Sequence, residues 1–389
     1  MNISYDYVMS ESLKVESKKF AQKKHLSDKQ PSCKCYDNAT ILPLKEDYRE
    51  EKNGKWGKGG VVDSQGNFVQ ESAYTGDWVS QGGLYEYSTV VSKMDKEVVY
   101  IGCISSHYGH FLVDCTTKLW ALLKLKKDIT VAYTGDRKIS GNEKRIIELL
   151  GVKNENLLHV DKPMSFKKVF VPEQGAKPGV WYTKEYAAVF KLIQENIDNS
   201  VAHFDDFNRK VYFTRTGYSD AKKKEVGEST LEKVFFNNGF EIHHPEKMDL
   251  IKMMELVNAA SVVVCINGTI PLNMIFSSNK NLKLVVLNKT DVYHRNLEYF
   301  AEICNLNIEY VDVYNKFKGN DLGLGPFFVT VTDELKRYLF SNNMTLPNNF
   351  NSIKYKDYFI FILLKINRLI RNKLRPIKVR FKEFLSNTK

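Results

Sequence analysis

Between positions 261 and 276 the chain reads S-V-V-V-C-I-N-G-T-I-P-L-N-M-I-F. Three consecutive valines in a run with no alternation predict a strand buried on both faces of a parallel sheet, because a half-exposed strand would alternate apolar and polar residues. Asn267-Gly268 breaks the run. Thr269 is placed to cap a new helix, Pro271 falls in its first turn, and Leu272, Met274, Ile275 and Phe276 continue it. Strand, glycine turn and helix start together aim backbone N–H groups and a positive helix end at whatever lies above the sheet, and a phosphate is the natural occupant. Taken alone the glycine has low specificity, since many buried βα turns carry one and bind nothing.

A parallel sheet requires crossover helices and therefore a long chain. The 389 residues, 43% hydrophobic and 26% charged, leave room for two ordinary domains. Their pattern alternates. Strands are expected at 97–105, 129–133, 157–159 and 168–171, with helices at 107–123, 142–150 and 183–197. A hairpin is expected where Val61-Val62 and Phe68-Val69 flank a turn. The rhythm loosens at 200–208, then restarts: strands at 210–214, 240–243, 261–266, 282–287 and 307–313, with helices at 228–237, 250–259 and 295–304. Two consecutive alternating halves predict an α/β protein of two doubly wound domains whose ligands bind beyond the carboxyl ends of the strands. The first fifty residues are polar, without a sustained period, and are expected to form a poorly defined arm.

Within the helix at 107–123, Phe111, Cys115, Leu119 and Leu122 form an inward stripe. His110, Asp114 and Lys118 make a neighbouring polar row, so the His110 and Asp114 side chains can meet. Asp205-Asp206 is not a spaced D-x-D, and no His/Asp cluster has metal-ligand spacing. His243-His244 is a poor metal pair because adjacent strand residues point to opposite faces.

Taken together these stretches resemble glycosyltransferase family 61, particularly its bacterial members encoded with capsular polysaccharide genes. The matches are G-H-F-L-V-D-C-T-T-K-L-W (109–120), similar to the family's H-x-x-x-D helix; V-Y-F-T-R (211–215), where the family ends a strand on Arg; K-K-E-V-G-E (223–228); and G-F-E-I-H-H-P-E-K-M (239–248) followed by N-G-T-I-P-L-N-M-I-F (267–276). The patch V-V-D-S-Q-G-N-F-V-Q-E-S (61–72) also looks like the bacterial members. Where the family often has His-Gly, this chain has Asn267-Gly268. The resemblance implies a GT-B fold of two facing Rossmann-like domains and inverting, metal-independent sugar transfer from a nucleotide-sugar, with no cofactor. Residues 1–55 are then the arm, 56–205 the acceptor-side domain, 206–345 the nucleotide-sugar-binding domain and 346–389 a basic helical tail.

On that reading His110 or Asp114 is the base that takes the acceptor's proton, the alternative being a helix-surface pair that merely orients a neighbour. Arg215 is placed to fork onto a diphosphate, or is simply solvated. Lys223 and Lys224 are weaker candidates. Glu228 is a donor-site residue or a first-turn helix acid, and Glu246 accepts from a nucleoside ribose or helps start the next helix. Gly268 and Thr269 are the phosphate contacts beside Asn267, while Asn273 reaches the ligand or ties the loop down. His107, Tyr108 and Gly109 shape the acceptor side.

Of the net charge of +11, residues 351–389 carry +9, so the basic character belongs to the tail. A basic amphipathic helix of this kind fits an anionic membrane surface, or else packs back on the domains. No nucleic-acid-binding motif accompanies it. Six sparse cysteines and a first segment unlike a signal peptide suggest reduced thiols. The expected setting is cytoplasmic, peripheral on the inner face of the cell membrane, with a nucleotide-sugar donor and a saccharide or lipid-linked saccharide acceptor of capsule or exopolysaccharide assembly. The rival readings are another transfer on the same architecture, such as pyruvyl transfer, and a catalytically silent assembly partner.

Overall fold

The computed structural model describes residues 1–50, 54–88, 91–201, 208–218, 225–314, 322–323, 325–347 and 355–386, with side chains in the last helix as far as Leu374. The chain opens with β1 (Ile3–Tyr7) and α1 (Glu11–Ala21). Next come β2 (Cys33–Asp37), β3 (Thr40–Lys45), β4 (Lys58–Val62), β5 (Ser92–Ile104), α2 (Tyr108–Asp114), β6 (Thr130–Gly135), α3 (Gly141–Leu149), β7 (Leu157–His159) and β8 (Met164–Pro172). These strands form one sheet in the order β4-β3-β8-β5-β6-β7, with β2 also pairing with β8. Its centre, β8-β5-β6-β7, is parallel, while β2, β3 and β4 are antiparallel additions.

After α4 (Lys184–Asp198) come β9 (Arg209–Phe213), β10 (Glu225–Val226), α5 (Glu228–Asn237), β11 (Glu241–His243), α6 (Leu250–Asn258), β12 (Ala260–Ile266), β13 (Lys283–Asn288), α7 (Arg295–Cys304), β14 (Asn307–Asp312), β15 (Phe327–Phe328), α8 (Asp333–Ser341) and α9 (Tyr355–Ser386). The second sheet runs β1-β14-β13-β12-β9-β11 and is parallel throughout. The valine run of β12 lies near its middle, and Val263 to Ile266 are fully buried, as a two-sided strand requires.

The polar start of the chain is structured, against the expectation of an arm. Strand β1 pairs in parallel with β14, roughly three hundred residues away, and so leaves no local period to read. Helix α1 is capped by Ser10, whose hydroxyl accepts from Leu13 N, and buries Leu13, Ser17 and Phe20. The expected hairpin at 61–69 is present as one antiparallel bridge, Val62 to Phe68, flanked by donation from Val69 N to the Val61 carbonyl and from Asp63 N to the Asn67 carbonyl, and the Asp63 carboxylate accepts from the amides of Gln65 and Asn67 within the turn.

The two sheets share one apolar core. Helix α4, whose cap Thr183 accepts from Tyr186 N, joins them. It buries Tyr186, Val189, Phe190 and Ile193; the Phe190 ring meets Phe276 at 6.0 Å and Phe300 at 5.9 Å, and Gln194 donates to the Ile275 carbonyl. Each such fully buried aromatic or branched side chain contributes about 1.5–3 kcal/mol, so this joint holds the strand ends of the two halves in register.

Two expected helices are shorter than the sequence suggests. Beyond Asp114 the α-helix tightens into a 3-10 helix over Cys115–Leu123. There the Thr116 and Thr117 hydroxyls bond back to the carbonyls of Leu112 and Asp114 and compete with the α-ladder. After Gly268 the chain forms a 3-10 helix, Ile270–Phe276, and Thr269 makes no side-chain cap. Pro271 supplies no N–H, and Asn273 Nδ2 donates to the carbonyls of Thr269 and Ile270. The loosened stretch at 202–207 and Lys223 and Lys224 lie outside the described residues.

Candidate active site

Strand β5 ends in a short turn, and α2 begins at Tyr108; strand β12 ends at Ile266, and Gly268 stands in the turn that follows it. These two carboxyl ends touch. A Cβ on Gly109 would lie 3.0 Å from Thr269 Oγ1 and 3.2 Å from the His107 ring, a tight fit that the absent side chain relieves. The Tyr108 hydroxyl crosses the junction to Asn273 Oδ1 at 2.7 Å. Asn273 is therefore a staple between the halves rather than a ligand contact, and Tyr108, expected on the acceptor side, is its partner.

Beside this junction lies a cavity of about 500 Å³. His107, Gly109, His110 and Asp114 line it from one half, and Gly268, Thr269, Leu272 and His294 from the other, with Trp78 at the wall. Within it His110 Nδ1 lies 2.8 Å from Asp114 Oδ2. The other oxygen of Asp114 accepts from the Tyr74 hydroxyl at 2.6 Å. Asp114 is only 6% exposed and both its oxygens are engaged. A carboxylate can only accept, so the proton on His110 sits on Nδ1 and Nε2 is left to take a proton. Burial and the neighbouring Asp114 charge hold the Tyr74 phenol well above its ordinary range, so it stays a donor. The pair that the sequence could not apportion is ordered by geometry: Asp114 orients, His110 faces the cavity. Lys118, third in the polar row, is remote from this work. Its ammonium donates to the carbonyls of Glu71 and Ser72, and burial brings it down to about 7.

Gly268 has φ +154°, and a Cβ there would point at Arg215 Nη1 (3.6 Å) and Lys289 Nζ (3.7 Å). Neither cation lines the cavity; both converge just beyond Gly268. Glu225 sits between them, 2.6 Å from Lys289 Nζ and 3.4 Å from Arg215 Nε, with its carboxylate almost fully buried. Burial lowers Lys289 from its ordinary range. Since the segment after Gly268 is a seven-residue 3-10 helix without a Thr269 cap, the positive end of an α-helix expected there is absent. The positive charge beside the turn comes from these two side chains.

Farther along the same face, the Arg215 guanidinium lies over the Tyr218 ring at 5.7 Å. Glu246 Oε1 packs against Gly217, where a Cβ would come within 1.7 Å of it. Among the described residues, Arg215 Nε, Glu225 Oε2, His244 Nδ1 and both oxygens of Glu246 are buried without a protein hydrogen bond. His244 Nδ1 and Glu246 Oε1 stand 3.4 Å apart. Four of these five atoms face each other as ion pairs at 3.4 Å, Arg215 Nε with Glu225 Oε2 and His244 Nδ1 with Glu246 Oε1, so among the five Glu246 Oε2 is the one without a charged partner.

Two expected contacts turn inward instead. Glu228 is 2% exposed; its Oε1 accepts from the Arg215 amide at 3.0 Å and from the Tyr212 hydroxyl at 3.4 Å, and burial pushes it up to about 8. It fixes the end of β9 and so aims Arg215. Asn267 Nδ2 donates to Asn288 Oδ1, and Asn288 Nδ2 donates in turn to Asp312 Oδ1. Asn267 Oδ1 is then free to accept from His294 Nδ1 at 2.7 Å. Burial first, then the nearby Lys289 charge, brings His294 down to about 4, so at neutral pH its uncharged ring lines the cavity with Nε2 as an acceptor. The Asn267 substitution in the family pattern thus leaves a histidine at this wall, supplied by the loop before α7.

Sequence reasoning missed Tyr74, Lys289, His294 and Trp78. Only Lys289 carried a signal, immediately after the end of an apolar strand of a parallel sheet. Among the described residues no three His, Cys, Asp or Glu side chains converge as a metal-ligand set, and all six cysteines are free.

Residues 108–286 match the family model described as Glycosyltransferase 61, which runs from α2 through most of β13 and so takes in His110, Asp114 and the Gly268 turn. By that match the chain is a glycosyltransferase. No curated protein matches the chain. Among solved structures, the dodecameric iron-containing heptosyltransferase TibC, in complex with ADP-D-beta-D-heptose, is similar over 87% of this chain and 92% of its own, at 11% identity and a TM-score of 0.30. A likeness that weak carries no argument.

Proposed function

We propose that the chain moves a sugar from a nucleotide-sugar donor to a growing capsular or exopolysaccharide acceptor, with inversion and without a metal ion, on a GT-B arrangement of two facing Rossmann-like domains. Residues 56–205 form the acceptor side and 206–345 the donor side. One observation carries the reading: His110 and Asp114, the latter held from behind by Tyr74, line the same cavity as Gly268, with Arg215 and Lys289 converging just behind that glycine.

The donor's sugar occupies the cavity between His110 and His294. Its diphosphate crosses Gly268 to Arg215 and Lys289, and the ribose reaches Glu246 Oε2, the carboxylate oxygen not paired with His244. The acceptor hydroxyl attacks the anomeric carbon opposite the leaving group and gives its proton to His110 Nε2. The bond from the anomeric carbon to the diphosphate oxygen breaks, and the two cations stabilise the charge that develops there. Asp114, held by Tyr74, steadies the imidazolium.

The tail is proposed to rest on an anionic membrane surface where lipid-linked acceptors sit. Phe361 of α9 is buried against Val226 and Phe328, while Phe359, Leu363, Ile366, Ile370 and Leu374 form an exposed apolar stripe beside Lys365, Arg368, Arg371 and Lys373. No described helix is long and apolar enough to cross a membrane.

A thermal-shift screen of nucleoside diphosphates and nucleotide-sugars tests the donor assignment. A ligand at a hundred times its Kd stabilises the fold by about 2.7 kcal/mol. The expected result is a selective shift that Arg215→Ala abolishes; no shift with any of them rejects the proposal.

A further inference from the structure

The geometry points to an extended saccharide-binding track in the first half of the chain, with Trp78 as the platform for the acceptor sugar and a second cavity holding the sugars that precede it. This rests on the proposed transfer reaction and names the acceptor's chemistry: a chain of at least two pyranose residues.

Trp78 is 50% exposed, yet its ring lies 4.9 Å from that of His110 and lines the same cavity. A large aromatic left open to solvent beside a proton acceptor is an unfavourable arrangement for a protein surface unless something covers it. It is also held in place. Asp77 meets Arg295 of α7 at 2.5 Å, which ties the Trp78 loop to the donor half opposite. Trp56 braces Trp78 edge-on at 5.4 Å and His110 at 4.8 Å, and the Arg49 guanidinium lies over Trp56 at 5.1 Å. An exposed indole face with a polar surround suits a pyranose: its C–H face is apolar and its rim hydroxyls stay wet.

Behind this pair lies a second cavity, of about 530 Å³, lined by Tyr48, Lys55, Lys58, Tyr74, Ser80 and Gln81 among others. The chain neighbours of Trp56 and the strand following Trp78 contribute its wall. Tyr74, whose hydroxyl bonds to Asp114, belongs to that wall as well, so the two cavities are one side chain apart at the Asp114 carboxylate. Tyr48 is 40% exposed; its ring stacks on Tyr85 at 6.2 Å and carries the Lys58 ammonium over it at 4.6 Å, so it lines the second cavity as an aromatic edge beside a cation. Trp78 lines the first cavity and Tyr48 the second, so a saccharide lying on Trp78 with its terminal hydroxyl at His110 directs its preceding residues toward Tyr48.

The test uses the full chain and an immobilised array of defined linear oligosaccharides of two to six residues, neutral and uronic-acid-containing. The ligands found are then titrated in solution against wild type, Trp78→Ala, Trp78→Phe and Tyr48→Ala. ADP, UDP and GDP thermal shifts are measured on every variant. Trp78→Ala is expected to weaken saccharide binding about tenfold, as loss of one stacking contact predicts, and Trp78→Phe to recover most of it. Tyr48→Ala is expected to weaken only the longer chains. All variants keep the nucleoside diphosphate shift of the wild type. Wild-type saccharide affinity in Trp78→Ala overturns the inference, and so does a wild type that responds to a nucleoside diphosphate but binds no saccharide. If the wild type responds to neither class, the transfer reaction falls with it.

Discussion

Tyr74→Phe removes one oxygen from the relay and nothing else. The phenol is 9% exposed, so the phenylalanine ring refills the same space without a cavity. What is lost is the 2.6 Å donation to Asp114 Oδ1. A hydrogen bond to a charged group contributes about 1.5–3 kcal/mol, and a buried carboxylate deprived of a donor loses that stabilisation in full. The fold is therefore expected to weaken by about this amount in urea denaturation. The second consequence separates a relay from simple packing. With Tyr74 gone, the carboxylate is anchored by His110 Nδ1 alone, so it holds the ring less firmly toward the cavity. Losing about 1.4 kcal/mol of that orientation in the transition state lowers kcat about tenfold, while donor affinity read by calorimetry stays at the wild-type value. Wild-type kcat despite a lower stability would show that Asp114 does not orient the base, and the relay would be wrong.

Other perturbations follow from the same geometry. Glu298 is fully buried, accepts from Ser17 and Tyr293, and is pushed up to about 8 by burial. Because its folded value lies above the unfolded one, its contribution is fully present below about pH 4.5 and is lost as pH rises through 8. Glu298→Gln should leave stability at pH 4.5 unchanged and raise it at pH 8.5 by about 2–4 kcal/mol, read by denaturation at both pH values. Gly268→Ala forces a side chain into the left-handed region at φ +154° and places its methyl before Arg215 and Lys289. We expect about 1–3 kcal/mol of strain and at least a tenfold loss of donor binding by calorimetry. Ending the chain near position 350 should release it from phosphatidylserine vesicles. Glu at Leu363, Ile366 and Ile370 should do the same while keeping Phe361 packed, and unchanged sedimentation with vesicles would reject the membrane contact.

Most of the secondary structure was legible, because strands such as β12 and helices such as α4 announce themselves by a local period. The spacing of His110 and Asp114 was legible for the same reason: one helical turn joins them whatever surrounds the helix. Their division of labour was not, since it depends on Tyr74, forty residues away on a two-residue strand too short to show a period. Glu228 looked like a solvent-facing acid at a helix start; only the assembled sheet reveals that Tyr212 and the Arg215 amide enclose it. At Asn267 the sequence displayed a missing histidine, and the fold brought His294 from 27 residues downstream to the same wall. The N-terminal strand was invisible because its partner is β14, at the far end of the chain. In each case the unread part was a long-range contact, which no window of sequence contains.

The most direct measurement compares wild type with His110→Gln using the donor that the thermal-shift screen selects, reading donor affinity by calorimetry and transfer rate in a single turnover. Loss of the base with the donor site intact predicts an unchanged Kd and a rate lower by about 10²–10⁴. Transfer at the wild-type rate by His110→Gln would contradict the assignment of His110 as the group that takes the acceptor's proton.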